Sequence, residues 1–221
     1  MRFQISRLAV LLLVLIAVLT PAYAEGNAGG GTGVLEVAAG ELVASLPRWW
    51  EDEKEPAEIR DHRLSNFVRA MVVVTNGDEE RLMMLTTVSW WESRLASHVH
   101  AGNCKPHECD HGHAKGMPQV QLASGVDKDL WLSSEGHDYE ATLASMEAAN
   151  WVFDQAIARC GRNRGMEHKL FFFYAKGYCP GQMSNKSQAF ERWAWYDKRL
   201  RQLRALKVKA QSAFPKEVVE G

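Results

Sequence analysis

Hydrophobic residues recur along much of this chain at steps of three and four, which is the spacing of an α-helix that buries one face. The longest such stretch runs from 138 to 160 and is ended by Gly161. Another runs from 78 to 95, and the three acidic residues at its start suit a helix N-terminus. The same pattern predicts further helices over 34–46, 167–176 and 186–206. In the last of these, one mainly apolar line contains Phe190, Trp193, Asp197, Leu200 and Leu203.

The remaining stretches complete the domain. Residues 64–75 are apolar and fit either a helix or a strand, and Asn76-Gly77 ends them. Residues 98–116 are rich in His, Gly, Cys and Pro and predict a long loop. No stretch alternates polar and apolar residues for long enough to support a firm strand prediction. We therefore expect one mainly α-helical domain over residues 34–210, followed by a C-terminal tail, 211–221.

The N-terminus has the pattern of an export signal. Arg2 and Arg7 precede an apolar run, 8–19, and Ala22-Tyr23-Ala24 provides the small residues of a cleavage site. The run is short for a membrane span. We expect residues 1–24 to be a signal peptide and 25–33 a flexible leader, so that the protein is periplasmic or secreted. The alternative is that the segment is retained as a membrane anchor.

All four cysteines follow this segment. An even number of cysteines in an exported chain favours disulfides over free thiols. Three pairings are possible. We prefer Cys104–Cys109 with Cys160–Cys179, because each of these closes a local loop.

Composition narrows the choice of partner. The chain is 46% hydrophobic and 24% charged, an ordinary balance for a globular domain with a real core. Its formal net charge is -1, and residues 1–24 contribute two arginines to that total. A near-neutral to acidic chain binds polyanions poorly, which argues against nucleic acid as the partner. We expect a monomer whose aromatic residues fill the core and line a groove.

Glu92 is the first candidate for chemistry, because it lies on the apolar face of the predicted 78–95 helix. Burying a charged carboxylate costs several kcal/mol, so such a group tends to stay protonated. A carboxyl group that keeps its proton near neutral pH can act as a general acid. Met84, Trp90 and Trp91 are close enough along the helix to form an apolar wall. The alternative is that Glu92 reaches solvent from the helix end.

Three segments resemble a known family. Trp91-Glu92-Ser93-Arg94 looks like the Glu-Ser motif of soluble lytic transglycosylases. Gly116-Met117-Pro118-Gln119-Val120 resembles their Gly-Leu-Met-Gln-Ile motif, and Phe173-Tyr174-Ala175-Lys176-Gly177 resembles their Ala-Tyr-Asn-Ala-Gly motif. The order is the same, with a long helix between the second and third motifs. The resemblance covers about residues 78–206.

This resemblance implies a lysozyme-like α-helical domain with a two-lobed substrate groove and with Glu92 as the general acid. By position it also implies five substrate-binding residues, namely Ser93, Gly116, Met117, Gln119 and Tyr174. Plainer alternatives are a structural role for the serine, a helix-start position for the glutamine and core packing for the tyrosine. The chain departs from the family at Pro118, where the family has Met, and at Ala175, where it has Asn.

Asp110 is a second candidate catalytic residue. Residues 109–116 are similar to the stretch before the same motif in goose-type lysozymes, where an Asp occupies the place of Asp110. A base there would activate water and make the enzyme an inverting hydrolase. Without a base, the N-acetyl and 6-hydroxyl groups of the substrate would complete the transglycosylase reaction. The alternative is a turn residue that makes a local hydrogen bond.

The same loop is rich in possible metal ligands: His98, His100, Cys104, His107, Cys109, His111 and His113. Their spacing fits no standard zinc pattern, and an oxidising compartment favours a disulfide. We therefore expect a solvated histidine-rich loop, no metal and no cofactor.

The resemblance implies an enzyme that cuts the glycosidic bond between N-acetylmuramic acid and N-acetylglucosamine in peptidoglycan strands. A lytic transglycosylase is the preferred hypothesis, and a hydrolytic muramidase using Asp110 is the alternative within this class. Pro118 and Ala175 favour a third hypothesis, a non-catalytic peptidoglycan-binding or envelope-structural protein. A secreted zinc or redox module is a fourth.

Overall fold

The structure is a computed structural model that describes residues 30–47, 55–105, 109–162, 165, 167–181 and 187–213. The predicted signal peptide, the first part of the leader (25–29) and the end of the tail (214–221) lie outside these residues, as does His107.

The described residues are mainly α-helical. The helices are α1 Gly30–Ala44, α2 Ala57–Val74, α3 Glu79–Ser93, α4 Ser97–His100, α5 Cys109–Gly112, α6 Lys128–Leu132, α7 Tyr139–Cys160, α8 His168–Lys176 and α9 Gln188–Ala213. Two short strands, β1 (Ala114–Lys115) and β2 (Val120–Gln121), pair antiparallel, and a 3₁₀ turn (Leu122–Ser124) follows.

The helix predictions are confirmed, and the ambiguous stretch 64–75 is helical. The boundaries needed correction at both ends. The helix α1 begins at Gly30, so residues 30–33 are not a flexible leader, and α9 continues to Ala213, into the predicted tail. The predicted loop 98–116 contains α4, α5 and β1, and α5 is a turn whose first three residues have positive φ.

The core lies between α7 and the helices around it. The helix α7 packs against α2 and α8, while α9 packs against α1, α3 and α8. Phe153 of α7 is fully buried and meets Phe171 of α8 edge-on, with ring centroids 5.9 Å apart. These contacts fix α8 and α9 relative to α3.

The position of α3 is fixed at its N-terminus. The Asp78 carboxylate accepts hydrogen bonds from the backbone N–H groups of Glu80 and Arg81, which caps the helix as predicted. Glu79 pairs with Arg204 and Lys207 of α9. Burial opposes the charge of Glu79, but these two cations outweigh it and lower the pKa of the carboxyl group. These ion pairs hold the N-terminal end of α3 against the C-terminal half of α9.

The buried face of α9 agrees with the prediction at Leu200 and Leu203 and differs from it nearer the start of the helix. The sequence pattern placed Phe190, Trp193 and Asp197 on the buried line, but these residues are only half-buried. The buried line of α9 is Ala189, Arg192, Tyr196, Leu200, Leu203 and Ala210. An arginine therefore occupies a core-facing position in the first turns of α9.

Both preferred disulfides are present. Cys104 pairs with Cys109, and Cys160, the last residue of α7, pairs with Cys179 just after α8. Disulfides are typical of proteins in an oxidising compartment. Within the described part of the chain, no helix has the length and apolar character needed to cross a membrane.

Candidate active site

A polar cleft of about 250 Å³ opens where the end of α3, strand β2, the end of α8 and the start of α9 meet. It brings together three residues that the sequence placed in separate motifs, Glu92, Gln119 and Tyr174. The full lining is Glu92, Gln119, Val120, Gln121, Ser124, Val152, Tyr174, Ala175, Lys176, Gln188 and Arg192.

A larger groove of about 530 Å³ lies elsewhere, between α1 and α2. Its lining is mostly small and apolar, and Glu36 and Asp61 are its charged residues. It contains none of the residues of the three motifs. The polar cleft is therefore the better candidate for a site of chemistry, although it is the smaller of the two.

Glu92 is partly buried and is paired with an arginine. Its side chain is 25% exposed, and its Oε1 lies 2.5 Å from Nη1 of Arg192, whose own side chain is 9% exposed. The sequence pattern predicted a lone carboxyl group against an apolar wall, and it gave no indication of the pairing with Arg192. A buried charge that loses its partner is strongly destabilising, so each group keeps the other in place. The spacing of the residues could have indicated that Arg192 is buried. Arg192 lies three residues after Ala189 and four before Tyr196, which places all three on one face of a helix.

The wall beside Glu92 is made of tryptophan faces covered by arginines. Trp90 stacks on Trp195 with ring centroids 4.8 Å apart, and the Arg94 guanidinium lies 3.7 Å from the centroid of Trp90. Trp91 lies beneath both Arg94 and Arg192, at 5.1 Å and 5.9 Å. Burial lowers the pKa of Arg94. The predicted apolar wall therefore exists, but it carries positive charge.

Met84 does not belong to this wall. It is 1% exposed and is part of the hydrophobic core.

Tyr174 connects the core to the cleft. Its ring lies 5.1 Å from that of Phe153, and its hydroxyl donates a hydrogen bond of 2.8 Å to the carbonyl oxygen of Pro118. Burial, and then the nearby charge of Glu92, raise the pKa of Tyr174 well above 10.0. The hydroxyl therefore keeps its proton and holds the 116–119 turn against α8.

Gly116 shapes this turn and is buried. It has a φ of +67°, and a Cβ there would lie 2.1 Å from Oγ of Ser145 and 2.9 Å from the carbonyl oxygen of Ser134. Met117 is fully buried in the core. Neither residue lines the cleft, because Gly116 packs against Ser145 of α7 and Met117 lies against Arg63 of α2, which corrects the expectation that both contact substrate.

Gln119 lines the cleft, and its own side chain is hydrogen-bonded back into the turn. It has a φ of 52°, and its Nε2 donates to the carbonyl oxygen of Gly116 at 2.8 Å. The turn leads into β2 and not into a helix, which corrects the predicted helix start.

Ser93 ends α3 and is 3% exposed. Its Oγ donates to the carbonyl oxygen of Ser89 at 2.7 Å and accepts from the backbone N–H of Leu95 at 3.2 Å. Arg94 and Leu95 both have positive φ, so the chain turns sharply here. Ser93 is thus a structural residue of the helix end, as in the plainer alternative, and does not face the cleft.

Asp110 is exposed and is not among the residues that line the cleft. Its φ is 50°, and its carboxylate accepts a 2.8 Å hydrogen bond from Nε2 of Gln121. Because Gln121 does line the cleft, Asp110 is connected to the site through one side chain.

The histidine-rich stretch divides into buried and exposed residues. His100 is fully buried, and its Nε2 lies 2.9 Å from Oγ1 of Thr142. Burial, followed by the charges of Arg63 and His137, holds the pKa of His100 well below 6.5. His113 is exposed. Among the residues that the structure describes, no three His, Cys, Asp or Glu side chains are grouped to hold a metal ion.

The chain matches no protein-family model, no curated protein and no solved structure. The resemblance to lytic transglycosylases therefore rests on the three sequence motifs alone.

Proposed function

We propose that this protein cleaves the β-1,4 bond between N-acetylmuramic acid and N-acetylglucosamine in peptidoglycan, as a lytic transglycosylase that leaves 1,6-anhydro ends. The observation that carries the proposal is the meeting of Glu92, Gln119 and Tyr174 in one cleft. The helical domain would then be lysozyme-like, with this cleft as its groove, and would act as a periplasmic or secreted monomer.

The lining of the cleft suits a glycan. Gln119, Gln121, Gln188 and Ser124 offer amide and hydroxyl groups that hydrogen-bond to sugar hydroxyls and N-acetyl groups. Ligand sites use a small number of such polar groups to fix orientation. The valine side chains at 120 and 152 supply the apolar part of the surface.

In the proposed reaction, Glu92 donates its proton to the glycosidic oxygen and the bond from that oxygen to C1 of the muramoyl residue breaks. The transition state has oxocarbenium-ion character. The 6-hydroxyl oxygen of the same muramoyl residue then bonds to C1, and its proton returns to the Glu92 carboxylate. No water is consumed, and the enzyme ends in the protonation state in which it began.

A zymogram of the wild-type protein against Glu92→Gln and Glu147→Gln tests this proposal. Glu147 is exposed on α7 and is the matched control for loss of one carboxylate. We expect the wild type and the control to clear the gel, and Glu92→Gln to lose about 10²- to 10⁴-fold, the usual contribution of a general acid. A folded wild type that leaves the gel intact would instead favour the non-catalytic binding protein.

The contact between Asp110 and Gln121 favours one second candidate, a hydrolytic muramidase. In that enzyme Asp110 would take a proton from a water that attacks C1. The cleavage rate of an Asp110→Asn variant distinguishes the transglycosylase from the hydrolytic muramidase. A transglycosylase keeps its rate within a few-fold, whereas a hydrolase that uses this base loses about 10²-fold or more.

A further inference from the structure

Arg192 has hydrogen-bonding capacity that its surroundings do not use. The residue is 7% exposed, yet within the described residues neither its Nε nor its Nη1 makes a hydrogen bond. The Nη1 atom is close to Glu92 but is not aligned for a hydrogen bond. Because Arg192 lines the cleft, a ligand that enters the cleft can reach this guanidinium.

Other unused donors lie beside it. Nε1 of Trp91 and Nη1 of Arg94 are buried and, in the part of the chain that the structure describes, have no hydrogen-bond partner. A buried donor without an acceptor costs roughly 1–3 kcal/mol. Trp91 and Arg94 do not line the cleft, so of these three residues Arg192 is the one placed to meet a ligand there. Guanidinium and indole N–H groups only donate, so the group that would satisfy them is an acceptor.

The charge of the cleft indicates the same kind of ligand. Among its described lining residues, Glu92 is the single acid, while Lys176 and Arg192 are both cations. A positive site on a chain with a formal net charge of -1 is a local feature and not a consequence of the overall composition. Arginine binds a carboxylate with two parallel hydrogen bonds, a geometry that adds specificity as well as affinity.

We infer that Arg192 is a specificity-determining residue that binds the free lactyl carboxylate of a muramoyl residue from which the peptide has been removed. This inference rests on the proposed function. The lactyl group is attached to the same sugar whose C1–oxygen bond breaks when Glu92 protonates that oxygen, so both groups can lie in one small cleft. The carboxylates of an attached peptide lie several bonds further away. In a peptide-bearing strand the lactyl carboxyl is an amide and carries no charge.

The substrate carboxylate would also act on Glu92. When it binds Arg192, it competes with Glu92 for the guanidinium. The Glu92 carboxylate that is released from the ion pair then takes up a proton from solvent, and it donates this proton to the glycosidic oxygen. The preferred substrate is then a peptide-free strand, which is the product of an amidase that cleaves between the lactyl group and the peptide.

The test compares glycan strands that carry peptides with the same strands after enzymatic removal of the peptides. We expect the wild type to cleave the peptide-free strands with a kcat/KM about 10- to 100-fold higher, the range expected for a hydrogen bond to a charged group. Arg192→Gln should remove most of this preference, and Arg192→Lys should retain part of it. Arg199→Gln, which removes a half-buried arginine that lies over Trp195 outside the cleft, should retain all of it.

Equal rates of the wild type on both strands, or a preference for peptide-bearing strands, would overturn the inference while leaving the proposed function intact. So would an unchanged preference in a folded Arg192→Gln. If the wild type cleaves neither strand, the proposed function fails, and calorimetric binding of both strands to the wild type still decides the role of Arg192. Tighter binding of the peptide-free strand supports that role, and equal binding contradicts it.

Discussion

The Arg192 guanidinium lies against the Glu92 carboxylate, with Nη1 and Oε1 2.5 Å apart, and this contact joins the end of α3 to the start of α9. This contact limits when Glu92 can act as a proton donor. A glutamate held by an arginine is not a free proton donor, so the proposed reaction needs the pair to open when substrate arrives. The ion pair thus links the proposed acid to Arg192, the residue that we propose binds the substrate carboxylate.

Tyr174→Phe tests the connection between α8 and the 116–119 turn. The change leaves the buried carbonyl oxygen of Pro118 without its donor, so we expect a loss of about 1–2 kcal/mol in the free energy of unfolding. Activity should also fall, since Gln119 follows directly in the turn. Urea denaturation and zymogram clearing measure the two effects.

Tyr178→Phe is the control for this change, because Tyr178 is 60% exposed. It should alter the free energy of unfolding by less than about 0.5 kcal/mol. Equal effects of the two substitutions would show that the Tyr174 hydroxyl does not hold the turn.

Gly116→Ala tests whether close packing against α7 shapes the turn. The new methyl group would meet Oγ of Ser145 and adopt an unfavourable positive φ, so the protein should lose more than about 2 kcal/mol. Gly112→Ala is the matched control. Its φ is +85°, but no atom lies within 4 Å of the added Cβ, so it carries backbone strain alone, about 1–2 kcal/mol. Thermal denaturation measures the loss of stability in both variants, and the difference between the two losses is the steric cost of the clash at Gly116. Equal losses in the two variants would contradict close packing against α7.

His100 predicts how stability depends on pH. Its pKa is held well below 6.5 by burial, so the unfolded chain binds a proton more readily than the folded one. The contribution of His100 to stability is therefore complete above pH 6.5 and is lost as the pH falls below that value, by up to about 1.4 kcal/mol per pH unit.

Urea denaturation between pH 7.5 and 5 should show this loss. His113→Asn, which changes an exposed histidine, should show the same loss, whereas His100→Asn should show a smaller one. If the free energy of unfolding of His100→Asn falls with pH as steeply as that of the wild type, the loss of stability belongs to other groups.

The sequence predicts those parts of the structure that depend on neighbouring residues. Asp78 caps α3 through hydrogen bonds to residues two and three positions away, and both disulfides close short loops, so local patterns were sufficient. The ion pair of Arg192 was not predicted, because it depends on how α9 packs against α3. The buried face of α9 was predicted from its large apolar residues, Phe190 and Trp193, and this part of the prediction was wrong. They pack instead around His168, whose ring stacks on Phe190 with centroids 4.3 Å apart.

The candidate site also has features that the sequence predicts and features that it does not. The three motifs lead to a cleft that contains Glu92, Gln119 and Tyr174, but the motif pattern does not show which side chains face inward. Met117 and Ser93 belong to motifs and are nevertheless buried. Met117 lies against Arg63, which is distant in sequence, and a motif does not describe such a contact. Among the hydrogen bonds of the described residues, Ser93 bonds only to its neighbours Ser89 and Leu95 at the helix end.

Mass spectrometry of peptidoglycan digested with the wild type and with Glu92→Gln tests the central claim most directly. The account predicts 1,6-anhydromuramoyl ends in the wild-type digest and intact strands with a folded Glu92→Gln. Anhydro ends in equal amounts from both proteins would contradict it.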